Sequence, residues 1–177
     1  MRELAVIFFL TASIHAQGDF RNVNWGMTKE QVKKSEHAQV LNEKPFDLLY
    51  RDSLYHKPVI IRYHFSMNIL TSAIYLFQKP DQPAEDTSDY YFISDDLVYD
   101  LSPDVPPIEA DCDFAEFNSI QKELSFQFGQ PKFRSIQPHL LSCEWQDKES
   151  SILLESTADN YLISMAIFYR SKKYLGD

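Results

Sequence analysis

Two cysteines and five histidines are the residues of this 177-residue chain whose chemistry is most versatile. Cys143 has His139 four positions upstream, the composition of a thiol nucleophile with its base. Residues four apart on a strand share a face but stand about 13 Å from one another. They cannot hydrogen-bond there, so a thiol enzyme is the least favoured reading. His37, His56, His64 and His139 fall at no H-x-x-x-H spacing and beside no C-x-x-C, so no metal site is assigned. Surface or strand-facing histidines are the simpler account. No catalytic or cofactor-binding residue is identified, and neither a cofactor nor an enzymatic activity is expected.

The second concentration of chemistry is acidic. Net charge is −9, and eleven of the 26 Asp and Glu residues lie between Asp81 and Asp113, a stretch without Lys, Arg or His. An acidic chain is not drawn to nucleic-acid phosphates, so nucleic acid is excluded as a general partner. Clustered carboxylates could hold Ca²⁺. No D-x-[DN]-x-[DN]-G loop is present, so a small-ligand or Ca²⁺-binding periplasmic protein is the alternative reading and not the first. Tyr90, Tyr91 and Phe92 sit within the acidic run and are the candidate partner-binding residues, because tyrosine is enriched at interface centres. A solvated linker is the plainer account of the same run.

The amino terminus reads as a signal peptide over residues 1–16. Arg2 precedes the apolar run Leu4 to Leu10, and Ala16 suits cleavage. The run is shorter than the roughly 20 apolar residues that a bilayer core requires. His15 leaves with this segment. No Cys follows the run, so no lipid attachment is expected. The chain is therefore expected to be periplasmic or secreted, without a membrane span. In an oxidising compartment a small even number of cysteines usually pairs, which favours a Cys112–Cys143 disulfide over two separate thiols.

The elements that must position these groups follow from periodicity. A helix is expected over 27–35. Thr28 and Gln31 have capping-box spacing, and Met27 and Val32 have staple spacing. Strands are expected at 46–50, 59–65 and 69–77, with Met67-Asn68 as a hairpin turn. A second helix is expected from Asp113, with Glu116 completing its box. Its buried stripe is Phe117, Ile120, Leu124 and Phe128, and Gly129 and Pro131 stop it. Three further strands are expected at 139–145, 151–155 and 161–169. The closing strands align without a gap from Leu70–Lys79 to Ile163–Lys172, matching Ala73 with Ala166 and Tyr75 with Phe168. This suggests an internal duplication. The division is a signal peptide at 1–16, a first helix and three-strand repeat at 17–79, an acidic Pro-containing connection at 80–112, and a second repeat at 113–177. The fold class is α+β.

The stretch Asp19-Phe20-Arg21-Asn22-Val23-Asn24-Trp25-Gly26-Met27-Thr28, followed by Val32, resembles the W-G-M-[ST]-x-x-x-V opening of small bacterial exported proteins. The second half, with Phe128-Gly129-Gln130-Pro131 before Trp145, is similar to the second unit of that group. The group resembles the β-lactamase-inhibitor-protein fold and the small lipoprotein of the outer-membrane assembly machine. The resemblance implies two tandem helix-plus-antiparallel-strands repeats, their sheets joined into one curved sheet with helices packed on one face. It also implies a non-enzymatic protein-binding or scaffolding role in the envelope, with another envelope or secreted protein as partner. The lipidated Cys and single unit of the assembly lipoprotein have no counterpart here.

Overall fold

Period-two alternation sends successive side chains to opposite faces of a pleated strand. Along 59–65 the odd positions are apolar and the even ones polar, apart from Ile60. In the computed structural model, which describes residues 19–78, 114–137, 139–158 and 163–174, the run lies within β3 (Lys57–Ser66), between β2 (Asp47–Leu54) and β4 (Ile69–Phe77). Val59, Ile61, Tyr63 and Phe65 are buried, whereas Arg62 and His64 are partly exposed. The two connecting turns are tight. Tyr55 and His56 have φ of 51° and 64°, and Met67 and Asn68 have φ of 48° and 65°. Two successive positive-φ residues give the turn whose twist matches an antiparallel hairpin.

β1 (Gln39–Glu43) flanks β2, and the second half of the chain adds β5 (Phe133–Gln137), β6 (Leu140–Gln146), β7 (Ser150–Ala158) and β8 (Ile163–Ser171). All eight strands form one antiparallel sheet in the order β1-β2-β3-β4-β8-β7-β6-β5. β4 and β8 join its two halves, with Ser72 opposite Arg170 and Leu76 opposite Ala166.

One face is covered by α1 (Lys29–Ser35), α2 (Phe114–Phe128) and the segment from Phe20 to Trp25. α1 has the expected capping box. The Gln31 N–H donates to Thr28 Oγ1 at 3.4 Å, and the Thr28 N–H donates to Gln31 Oε1 at 2.8 Å. α2 buries Phe117, Ile120 and Leu124, and Gly129 follows it at φ 82°. The W-G-M stretch is pinned to the sheet. Gly26 N–H donates to the Leu70 carbonyl at 2.9 Å, and Leu70 N–H to the Met27 carbonyl at 2.8 Å. Trp25 Nε1 donates to Ser150 Oγ at 2.9 Å. Gly26 has φ +85°, and a Cβ there would lie 2.5 Å from the Tyr174 hydroxyl, so the position requires glycine. A smaller apolar cluster of Leu49, Ile60, Leu76, Ala166 and Phe168 occupies the opposite face.

The expected α+β class, with two tandem helix-plus-three-strand repeats, is overturned. Among the described residues 54% are strand and 19% helix, so the chain is a mostly-β fold built on one eight-stranded antiparallel sheet. Two strands, β1 and β5, were not expected. Both are edge strands in which four of five residues are exposed, so neither has a buried face to impose alternation. α1 has only seven residues and buries Val32 alone, too little to form a layer. The ten-residue alignment also matches residues that face opposite ways. Ala73 and Tyr75 belong to the main core, whereas Ala166 and Phe168 belong to the cluster behind it. Residues 1–16, the whole acidic connection 80–112 and the expected cap Asp113 lie outside the described residues. No helix among the described residues is long and apolar enough to cross a membrane.

Candidate functional site

Four segments far apart in sequence converge on a cleft of about 570 Å³. Asp19–Arg21 comes from the amino-terminal segment, Leu54 and Tyr55 from the β2–β3 turn, and Gln127 and Phe128 from the end of α2. Asp147–Glu149 forms the β6–β7 turn, while Tyr75 of β4 and Tyr169 of β8 extend the lining onto neighbouring strands of the sheet. The volume suits a small ligand or a single side chain.

The aromatic lining is braced from within. The Phe20 ring lies 5.0 Å from that of Tyr75 and 4.8 Å from that of Tyr169, both centroid distances. Tyr75 and Tyr169 meet edge to face at 6.0 Å, and Phe128 meets Tyr169 edge to face at 6.4 Å. Burial pushes the Tyr75 phenol up to about 12 and raises that of Tyr169 well above its ordinary value. Both stay neutral at physiological pH.

Arg21 is locked beside this wall by a buried polar network. Its Nη2 donates to Asp52 Oδ2 at 2.6 Å and to Glu36 Oε1 at 3.1 Å. Its Nε stands 3.0 Å from Glu36 Oε2, close enough for an ion pair although the N–H is not aimed for a hydrogen bond. Glu36 also accepts the Tyr63 hydroxyl and the backbone N–H groups of His37 and Ala38, the last two at 2.8 and 2.9 Å. Its side chain is fully buried. Burial alone would raise the Glu36 carboxyl. Tyr63, Ala38, Arg21 and His37 together outweigh it and hold the carboxyl below its ordinary value. Burial likewise opposes the charge on Arg21, and the Asp52 and Glu36 carboxylates overcome it.

Two lining residues have strained backbones. Arg21 has φ 55° and Tyr55 has φ 51°, in the left-handed region that such side chains rarely adopt. At Tyr55 this is the conformation its hairpin turn with His56 requires, whereas the Arg21 side chain is tied to Glu36 and Asp52.

The residues singled out from the sequence are not brought together. Cys143 is a free, fully buried thiol in the main core, raised by burial, whereas His139 is exposed. Its expected partner Cys112 lies outside the described residues, as do Tyr90, Tyr91 and Phe92. His64 is on the face opposite the cleft. Its Nδ1 lies 2.9 Å from Asp47 Oδ1, and Arg62 Nε donates to the same oxygen at 2.8 Å. No cluster of metal-ligating side chains occurs among the described residues. Tyr75, which the short alignment pairs with Phe168, lines the cleft. Arg21, Tyr55, Phe128 and Tyr169 were not singled out as site residues. Two of them carry a sequence signal of another kind: Arg21 lies in the Phe20-Arg21-Asn22-Val23 stretch, and Phe128 in the helix stripe and the Phe128-Gly129-Gln130-Pro131 stretch.

No family model matches the chain, and no curated protein or solved structure matches it.

Proposed function

We propose that the protein is an exported, non-catalytic binding protein whose recognition site is the aromatic cleft. The observation that carries this reading is the cleft itself: about 570 Å³, walled by tyrosines whose rings are fixed by Phe20 and by the sheet. A preformed concavity that sets five aromatic side chains beside convergent charged and polar groups suits binding. Arg21 and Asp147, two of its ionisable groups, are engaged in holding the structure. Arg21 is tied to Glu36 and Asp52. Asp147 Oδ1 accepts the N–H groups of Glu149 and Ser150 at 2.8 and 2.6 Å. Groups so committed orient a ligand better than they transfer protons.

Native mass spectrometry of the protein taken from envelope extract should find a small molecule retained by the wild type and lost from Phe128→Ala. The reading fails if the wild type retains nothing and the low-mass fraction of that extract leaves its melting curve unmoved.

The sheet edges favour a second reading, in which the partner is another envelope or secreted protein. Val40 on β1 and Phe133 and Ile136 on β5 are exposed large apolar residues on the first and last strands of the described sheet. An extended segment could add to such an edge through main-chain hydrogen bonds.

A further inference from the structure

The charges around the cleft are lopsided. Asp19, Asp147 and Glu149 place three carboxylates on its lining. Arg21 offers little opposition, because Glu36 and Asp52 supply two negative charges against its one. Lys148 is the other lining cation, with a side chain that is 93% exposed, pairing with Glu149 at 3.7 Å. With Lys172 counted as well, whose Nζ donates to the Asp147 carbonyl, five carboxylates stand against three cations and the local field favours positive charge. An anion entering here would face three carboxylates.

The aromatic surface has the same preference. Ring faces carry negative potential and attract a cation within about 6 Å of the centroid, an effect strongest where water is excluded. Tyr75, Tyr169 and Phe128 are set edge to face, so their planes form corners and not a flat stack. Tyr55 adds a further ring, and does so from a left-handed backbone that a smaller residue would adopt more easily. Tyr75 and Tyr169 are buried beneath Phe20, so Tyr55 and Phe128 are the part-exposed rings of the lining.

We infer that the cleft binds an organic cation, an ammonium group carried on a small body, held against the part-exposed Tyr55 and Phe128 rings and by the carboxylates of Asp19 and Glu149. This deepens the binding role proposed above and rests on it. The ammonium could belong to a free amine or to a lysine side chain. A corner of rings with nearby carboxylates recognises both by the same chemistry, and the probes below separate them.

The test uses the full-length mature chain and four probes at up to about 50 mM, in matched ionic strength, read by calorimetry and by thermal shift. Choline represents the free ammonium, and Nα-acetyl-lysine amide the side chain. The probe 3,3-dimethyl-1-butanol is the neutral isostere of choline, and acetate is the anion. At least one cation should bind about tenfold or more tightly than the neutral isostere, and acetate should not bind. Tighter choline than lysine amide points to a free amine, and the reverse order points to a peptide. Tyr55→Leu, which keeps bulk but removes the ring, should weaken the cation by about three- to tenfold, and Glu149→Gln by a smaller factor. Phe126→Ala, at an exposed position outside the lining, should leave affinity unchanged and controls for handling of the variants. Circular dichroism confirms that each variant is folded. The inference is overturned if the isostere or acetate binds as well as the cations, or if Tyr55→Leu binds them as tightly as wild type. In both cases the cleft's wider binding role stands or falls on the extract experiment. It is also overturned if no probe binds, and the binding role itself fails only if the extract yields no ligand as well.

Discussion

Replacing Glu36 with glutamine tests whether the buried network organises the region around the cleft. The carboxylate accepts Arg21, the Tyr63 hydroxyl and two backbone N–H groups, and its side chain has no contact with solvent. Glutamine keeps the shape and one acceptor oxygen. It places an NH₂ group toward Arg21 or toward the backbone donors, where donors then face donors. Breaking a buried ion pair by removing one partner costs about 3–5 kcal/mol. Arg21 is 20% exposed and retains Asp52, so the lower end applies and the expected loss is about 3 kcal/mol. For a chain of this size that lowers the melting temperature by roughly 6–12 °C.

The pH dependence supplies an independent check. The folded Glu36 carboxyl lies below the ordinary value of 4.5, so its stabilising contribution is complete above that value. The contribution is lost progressively as pH falls through 4.5 and then through the depressed folded value. Glutamine has no such titration. The gap between wild type and Glu36→Gln should therefore be widest near neutrality and narrow in acid. Urea unfolding followed by circular dichroism, at several pH values, measures it. Glu30→Gln removes an exposed ion pair with Lys33 and should cost about 0.5 kcal/mol or less. The reasoning is refuted if Glu36→Gln costs no more than Glu30→Gln, or if its cost is the same at every pH.

Three further outcomes are expected. Leu124→Ala should destabilise by about 2–4 kcal/mol in urea, whereas Phe126→Ala, two residues along α2 and 93% exposed, should change stability by about 0.5 kcal/mol at most. Trp25→Phe removes the indole bond to the buried Ser150 hydroxyl and should cost about 1–2 kcal/mol, seen as a lower urea midpoint with an unchanged slope. In the reduced protein Cys143 should react with Ellman's reagent at least about 100-fold more slowly when native than when unfolded, because burial both blocks the thiol and disfavours its thiolate. Equal rates would place Cys143 at the surface.

Local patterns were legible wherever one side chain's fate depends on its near neighbours. Thr28 and Gln31 form their capping box because both partners lie within one helical turn. Phe117, Ile120 and Leu124 are buried because helical spacing puts them on one stripe, and 69–77 is a strand with the bounds its alternation predicts. Two kinds of feature escaped that logic. Edge strands β1 and β5 exist by hydrogen bonding to β2 and β6, and their exposed side chains carry no pattern. The face on which a ring lies is likewise not fixed by local pattern. Tyr75 and Phe168 look equivalent in a short alignment, yet Tyr75 opposes Ile167 across the β4–β8 pair, and a shift of one residue reverses the face.

The sequence by itself determined the helix cap, the apolar stripe of α2, the main strands and the acidity of the central connection, since each depends on residues within a few positions. Only the tertiary structure decided that eight strands form one sheet and that Arg21, Tyr55, Tyr75, Phe128, Asp147 and Tyr169 surround a single cleft. Those residues are spread over most of the chain, and strand order and register bring them together. No short-range spacing encodes such long-range pairing.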